Sequence, residues 1–469
     1  MSAQAAEKVP ALKKLAYAAP AFALAVVGIP IYVYLPKFYT DVVGVEIAAL
    51  GTILASVRIF DALTDPAMGY LSDRTVTRFG RRRPYIAAGG LFVALFIYLL
   101  FTPPQASPPF ETIWFGVCIY ALFLFWTVVT VPYESLGPEI TFDYNERNAL
   151  FGLRDGLLIA GTLAAAASPA AVQALFGLAA GPDGERAKFF WIAVIYAPLV
   201  VGTTWWCTAA VRERPAPAEK SAAGLWRGLR LVFRNRPFMI LLSAYTISAI
   251  GSNLPATLIL FYVEYVLESP HADAFLLLYF TTGILFLPGW VLLARRIGKK
   301  TAWLLSIGVN TGAFVGVFFL GPWDAVLYGV LVFFSGIGLG ATLALPSSIQ
   351  ADVIDYDELM TGERREGRYI GLWSIAKKMA AAVGVGVGLS TLGLAGYVPN
   401  APQPEEVRFT LRVLYALVPS VCNLAALAIA LSYPITAPVH ALILEAVAKR
   451  KRGEPYSDPL RPASGAGAR

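Results

Sequence analysis

The chain has 469 residues, 57% of them hydrophobic and only 15% charged, with a mean hydropathy of +0.61. Soluble domains carry nearer a quarter charged residues, so a water-soluble globule is excluded. The net charge of +7 does not mark a nucleic-acid binder, because the basic residues sit in short loops between apolar runs, where membrane orientation accounts for them.

Lys8, Lys13 and Lys14 lead into an apolar run from Leu15 to Leu35, long enough to span a bilayer and so read as a retained helix rather than a cleaved signal. Further spans are expected near 46–71, 84–102, 112–140, 149–175 and 188–210, the first being near 14–36. A second set follows near 237–265, 273–295, 301–320, 325–351, 367–396 and 408–433. Glycine at 41 and proline at 32 suit membrane helices, where neighbouring helices re-satisfy freed backbone groups. Cys118, Cys207 and Cys422 each lie inside an apolar run, so neither a disulfide framework nor a metal cluster is suggested.

The expectation is an all-α polytopic membrane protein of twelve helices: a six-helix bundle over 1–211, a linker over 212–236 with seven arginines and lysines, a second bundle over 237–434, and a tail over 435–469. Basic loops (Arg74 to Arg83, Arg295 to Lys300, Lys449 to Arg452) alternate with loops nearly free of Lys and Arg. The positive-inside rule then puts both termini in the cytoplasm and the protein in a bacterial inner (plasma) membrane. A weak internal echo joins the halves: Val131-Pro132-Tyr133-Glu134-Ser135 then Asp143-Tyr144, against Leu345-Pro346-Ser347-Ser348 then Asp355-Tyr356. Related halves are a transporter signature.

An ionisable group at membrane depth costs a few kcal/mol, so each marks a candidate site. Arg58, Asp61 and Asp65 fall at i, i+3 and i+7 on one face of the second span. Asp61 lies roughly 18 Å and Asp65 roughly 12 Å from Asp73 at the helix end, too deep to reach headgroups. Two acids one turn apart can share a Na⁺ or trap a proton; alternatively Arg58 neutralises one of them. Lys378, roughly 17 Å into the eleventh span, is a partner from the second half, or pairs with a backbone carbonyl. Glu134 and Arg154 can contact substrate or bridge each other, and Trp126, Tyr133 and Trp373 offer ring faces to a substrate. Clusters of opposite charge at the basic side (Asp73 and Arg81, Arg147, then Asp352, Asp355 and Arg364) form a candidate cytoplasmic gate. No P-loop, HExxH or CxxC occurs, and the two histidines, His271 and His440, fall in predicted loops, so no metal site, no cofactor and no enzymatic centre are expected.

These residues carry a resemblance. Arg58-Ile59-Phe60-Asp61-Ala62-Leu63-Thr64-Asp65-Pro66 with Gly69 and Asp73, Val131-Pro132-Tyr133, Glu146-Arg147 leading to Arg154, and Asp352-Val353-Ile354-Asp355-Tyr356 leading to Lys378 resemble the glycoside-pentoside-hexuronide:cation symporters of the major facilitator superfamily, whose best-known member is melibiose permease. The resemblance implies a cation site at Asp61 and Asp65, a coupling lysine at Lys378 and a sugar contact at Arg154; the expectation is a monomer that works by alternating access. Two departures stand out: the first span, Leu15 to Pro36, lacks the family's acidic residue, and the fourth-helix acid is matched by Thr130. The paired aspartates are also similar to those of animal sodium-dependent lysophosphatidylcholine symporters, so a lysolipid is the alternative cargo.

Overall fold

The computed structural model describes residues 8–141, 143–213, 232–362 and 365–460. Among them, twelve helices are long and apolar enough to cross a membrane. In chain order these are α1 Ala11–Val43, α2 Ile47–Arg74, α3 Arg83–Phe101, α4 Pro108–Ile140, α5 Tyr144–Phe176 and α6 Pro182–Ala210. They are followed by α7 Arg236–Tyr265, α8 Ala272–Ile297, α9 Lys299–Phe318, α10 Ala325–Thr361, α11 Glu366–Leu394 and α12 Glu405–Leu431.

The helices begin and end for local reasons. Asp143 caps α5 by accepting the Glu146 N–H at 2.9 Å. Gly362, at φ 81°, closes α10 in the left-handed conformation that a side chain resists. Internal prolines such as Pro66 in α2 and Pro132 in α4 are carried by packing in an environment without water.

Two ends differ from the sequence expectation. The first helix does not stop near Pro36 but runs to Val43, so it contains an acidic residue, Asp41. It gets there through two π-helical turns, Pro30–Tyr34 and Tyr39–Val43, the first opening at Pro30, which supplies no N–H, and ending two residues before Pro36. The tail forms a further helix, α13 Ala437–Lys451, whose buried Ile443, Ala446 and Val447 recur at helical spacing. His440 therefore sits in the first turn of α13 and not in a loop.

The chain divides into two compact units. The first is drawn from Met1–Ser221, Ala256–Leu277 and Val385–Leu411. Within it α1 lies along α5 and α6, α3 lies between α4 and α6, and α2 lies on α4. A methyl group at Gly161 of α5 would come 2.5 Å from the Phe22 carbonyl oxygen, so α1 and α5 approach at backbone distance. The second unit is drawn from Ala222–Pro255, Leu278–Gly384 and Arg412–Arg469. There α9 packs on α10 and α12, and α13 on α10, around a core that includes Phe238, Trp303, Tyr356 and Tyr369. Most of the linker expected over 212–236 lies outside the described residues.

Candidate cation and substrate site

The packing of α2 on α4 assembles an oxygen cluster. Asp61 is buried, 3% exposed, and the Thr127 hydroxyl of α4, itself buried, stands 2.9 Å from Asp61 Oδ1 and 3.1 Å from Asp65 Oδ1. Thr64 Oγ1 is 3.5 Å from Thr127 Oγ1 and donates to the Asp61 carbonyl at 3.2 Å. One hydroxyl has one hydrogen and donates to one carboxylate at a time. The Thr127 oxygen also keeps two lone pairs, so with the Asp61 and Asp65 carboxylates it gathers a cluster of oxygen atoms at the α2–α4 contact. Hard oxygen donors are what Na⁺ or H⁺ would require. The sequence reading singled out Thr130 on α4; the hydroxyl that meets both carboxylates is that of Thr127, one turn earlier.

Arg58, on the same face of α2, lies with its guanidinium 4.0 Å from the Tyr32 ring centroid and 5.0 Å from that of Phe123, and donates to the Tyr32 hydroxyl at 3.0 Å. Two ring faces thus share its charge. On α4 the Tyr133 ring is buried, stacked on Tyr17 at 5.1 Å, and its hydroxyl donates to the Tyr17 carbonyl at 2.8 Å. At 3% exposure it serves the α1–α4 contact and offers no ring face to a ligand, a correction to the expected substrate contact. Glu134 beside it is exposed, and Trp126 is half-buried. Arg154 pairs with its neighbour Asp155 at 2.7 Å and covers the Phe151 ring at 4.8 Å.

The remaining site residues belong to the second unit. Trp373 of α11 packs its ring 4.1 Å from Tyr245 of α7, half-buried against the core of that unit. Lys378 is half-buried, while Lys377 beside it is exposed.

Several of the charges expected at the gate have partners within one unit. In the first, Arg82 joins Asp73 at 2.9 Å to Glu139 at 2.7 Å, and Arg81 also pairs with Glu139. The Glu213 carboxylate accepts the backbone N–H groups of Arg81, Arg82 and Arg83. Arg147 donates to the Pro138 carbonyl at 2.9 Å. In the second unit, Asp352 meets Lys299 at 2.6 Å, Asp355 meets His440 at 3.0 Å, and a buried pair joins Asp357 to Arg365 at 2.6 Å. Arg364 lies outside the described residues.

Sequence reasoning missed a network in the first unit. Lys37 bridges Asp41 at 2.6 Å and Glu264 at 2.5 Å, while Asp41 also accepts the hydroxyls of Tyr397 at 2.7 Å and Tyr265 at 3.2 Å. Burial first, and then the Asp41 carboxylate, hold the Tyr397 hydroxyl well above the ordinary tyrosine value of 10.0. Lys37 and Asp41 at i, i+4 just beyond an apolar run were the available signal. The network borders a cavity of about 670 Å³ that Asp273 and Glu185 also line.

The family model for MFS/sugar transport proteins matches residues 16–437 of this chain. The chain belongs to the MFS/sugar transport protein family. Members similar to it include an uncharacterized symporter of Synechocystis sp., 27% identical over 95% of this chain and 98% of its own length. A glucuronide carrier protein homolog of Escherichia coli is 28% identical over 89% of this chain and 91% of its own length. An isoprimeverose transporter of Lactiplantibacillus pentosus is 28% identical over 83% and 81%. Among solved structures, a bacterial homologue of the iron transporter ferroportin in its inward-facing state superposes with a TM-score of 0.64 at 14% identity, over 90% of this chain and 97% of that one. At that identity the likeness establishes the fold: a major facilitator architecture of twelve helices in a multi-pass membrane protein.

Proposed function

We propose that this family member is a cation-coupled symporter that carries a glycoside or related sugar by alternating access. The observation that carries the reading is the Thr127 hydroxyl set between the Asp61 and Asp65 carboxylates, at 2.9 and 3.1 Å, far from either end of α2. Two carboxylates and two hydroxyls form a hard-oxygen site for Na⁺ or H⁺, and filling it relieves the repulsion between the acids. Cation and sugar bound together then permit the conformational exchange that neither permits alone, and that requirement is the coupling.

The sugar assignment draws on the relatives, which are named as a glucuronide carrier protein homolog and an isoprimeverose transporter and not for lysolipids. It draws also on the aromatic residues Trp373 and Tyr245 and on the polar groups Glu134 and Arg154. Arg58 and Lys378 are assigned to coupling, and Thr130 of α4 is retained as a further candidate cation ligand. The charge pattern of the loops supports cytoplasmic termini and an inner-membrane location, and the protein acts as a monomeric carrier without cofactor rather than as an enzyme.

The test is uptake by membrane vesicles from cells expressing the protein, with a panel of labelled glycosides and uronides plus labelled lysophosphatidylcholine, each with and without a Na⁺ or proton gradient. Gradient-driven accumulation of one sugar is expected. Uptake of the lysolipid alone refutes the sugar assignment, and sugar uptake indifferent to both gradients refutes coupling.

A further inference from the structure

Asp352 and Asp355 stand one turn apart on α10 and meet His440 of α13. The His440 Nε2 atom is 3.0 Å from Asp355 Oδ2 and 3.6 Å from Asp352 Oδ1, and one ligand atom from each of the three lies within 4.8 Å of the others. Asp352 is buried, and the Asp355 and His440 side chains are 16% and 22% exposed, which limits competition by water without closing the entrance.

A four-coordinate divalent ion with nitrogen and oxygen ligands at about 2.0–2.1 Å holds neighbouring ligand atoms about 3.3 Å apart. The two measured edges bracket that value. One imidazole with two carboxylates suits an ion of intermediate softness, whereas Mg²⁺ prefers an octahedral shell of oxygens. Tertiary structure alone brings the three together, from two helices that lie far apart in sequence.

We propose that Asp352, Asp355 and His440 form a binding site for a divalent transition-metal ion, typified by Zn²⁺, that fastens α13 to α10. None of these residues belongs to the unit that holds Asp61, Asp65 and Thr127. The metal adds to a docking that already exists. Lys451 pairs with Glu358 at 2.6 Å, Arg450 donates to the Leu359 carbonyl, and Ile443, Ala446 and Val447 are buried. The chain before α13 is pinned as well, by Lys300, which donates to the carbonyls of Leu431 and Tyr433 at 2.8 and 2.7 Å. Variants at His440 therefore keep the fold.

Lys299 is the built-in competitor. Its ammonium lies 2.6 Å from Asp352 Oδ1 and 3.3 Å from the Ser348 carbonyl, while its side chain is 38% exposed and has room to withdraw. It stands where the metal's charge would act, so metal binding displaces it or takes the second oxygen of Asp352.

The experiment titrates Zn²⁺, and separately Mg²⁺, into chelator-stripped full-length protein in detergent. Calorimetry reads affinity, and hydrogen exchange over residues 437–451 reads the docking of α13. One saturable Zn²⁺ site that slows exchange in α13, with no comparable Mg²⁺ effect, is expected. His440→Ala and Asp355→Asn should each weaken Zn²⁺ by about 100-fold or more and abolish the exchange effect. Lys299→Gln should tighten binding several-fold, a gain that a merely structural cluster would not produce. Absence of saturable binding, Zn²⁺ affinity unchanged in His440→Ala, or weaker binding in Lys299→Gln would each overturn the proposal.

Discussion

Thr127→Val is the most informative single change at the cation cluster. Valine matches threonine in shape, so the α2–α4 contact keeps its packing, and only the hydroxyl that spans Asp61 Oδ1 and Asp65 Oδ1 is lost. A hydrogen bond to a charged group contributes about 1.5–3 kcal/mol. If the hydroxyl both orders the carboxylates and ligates the cation, its loss lowers cation affinity by about 10- to 150-fold. The apparent half-saturating Na⁺ or H⁺ concentration for sugar accumulation in vesicles should rise by that factor, with passive sugar exchange largely retained. Thr127→Ser restores the oxygen and should recover most of the affinity. A Thr127→Val protein with unchanged cation dependence would refute the argument, since the two short contacts would then be incidental to the ion.

Asp65→Asn keeps size and one ligating oxygen but removes charge, so uphill accumulation should fail in gradient-driven uptake while exchange across equilibrated vesicles persists; Asp61→Asn should do the same. Lys378→Ala should uncouple transport in that assay, whereas Lys377→Ala, at the exposed position, should be mild. Asp357→Ala strands Arg365 in a buried site where it now makes two hydrogen bonds of 3.0 and 2.6 Å, and should cost about 3–5 kcal/mol, seen as a lowered thermal unfolding midpoint. Tyr397→Phe removes a donor to Asp41 and should destabilise by about 1.5–3 kcal/mol at neutral pH. Because the Tyr397 value is raised, the unfolded chain ionises first: this contribution should be flat below the ordinary value of 10.0 and decline as pH rises above it, in wild type and not in Tyr397→Phe.

The twelve spans were legible because each must be an apolar run of bilayer length, and a bilayer leaves few other solutions. The depth of Asp61 and Asp65 followed from helical rise along a single element. Thr127 was not legible, because which turn of α4 faces α2 depends on the crossing of two helices, and periodicity within one says nothing of that. The same holds for His440, whose partner Asp355 is 85 residues away. Tyr133 looked like a ligand face for want of any sign that Tyr17 would cover it. Lys37 and Asp41 were passed over because the span was ended at a proline, on the rule that proline stops a helix, and a π-turn evades that rule.

That π-turn has a mechanical consequence. An α-helix turns about 100° with each residue, so one surplus residue in a widened turn rotates everything beyond it by about that angle relative to an unbroken helix. The Pro30–Tyr34 turn therefore acts as a phase shifter between the inner length of α1, which grips α5, and its end, where Lys37 meets Glu264 and Asp41 meets Tyr397. Deleting one residue within 30–34 would remove that shift and swing both charged side chains off their partners, with no change of residue type at any of the four contact positions.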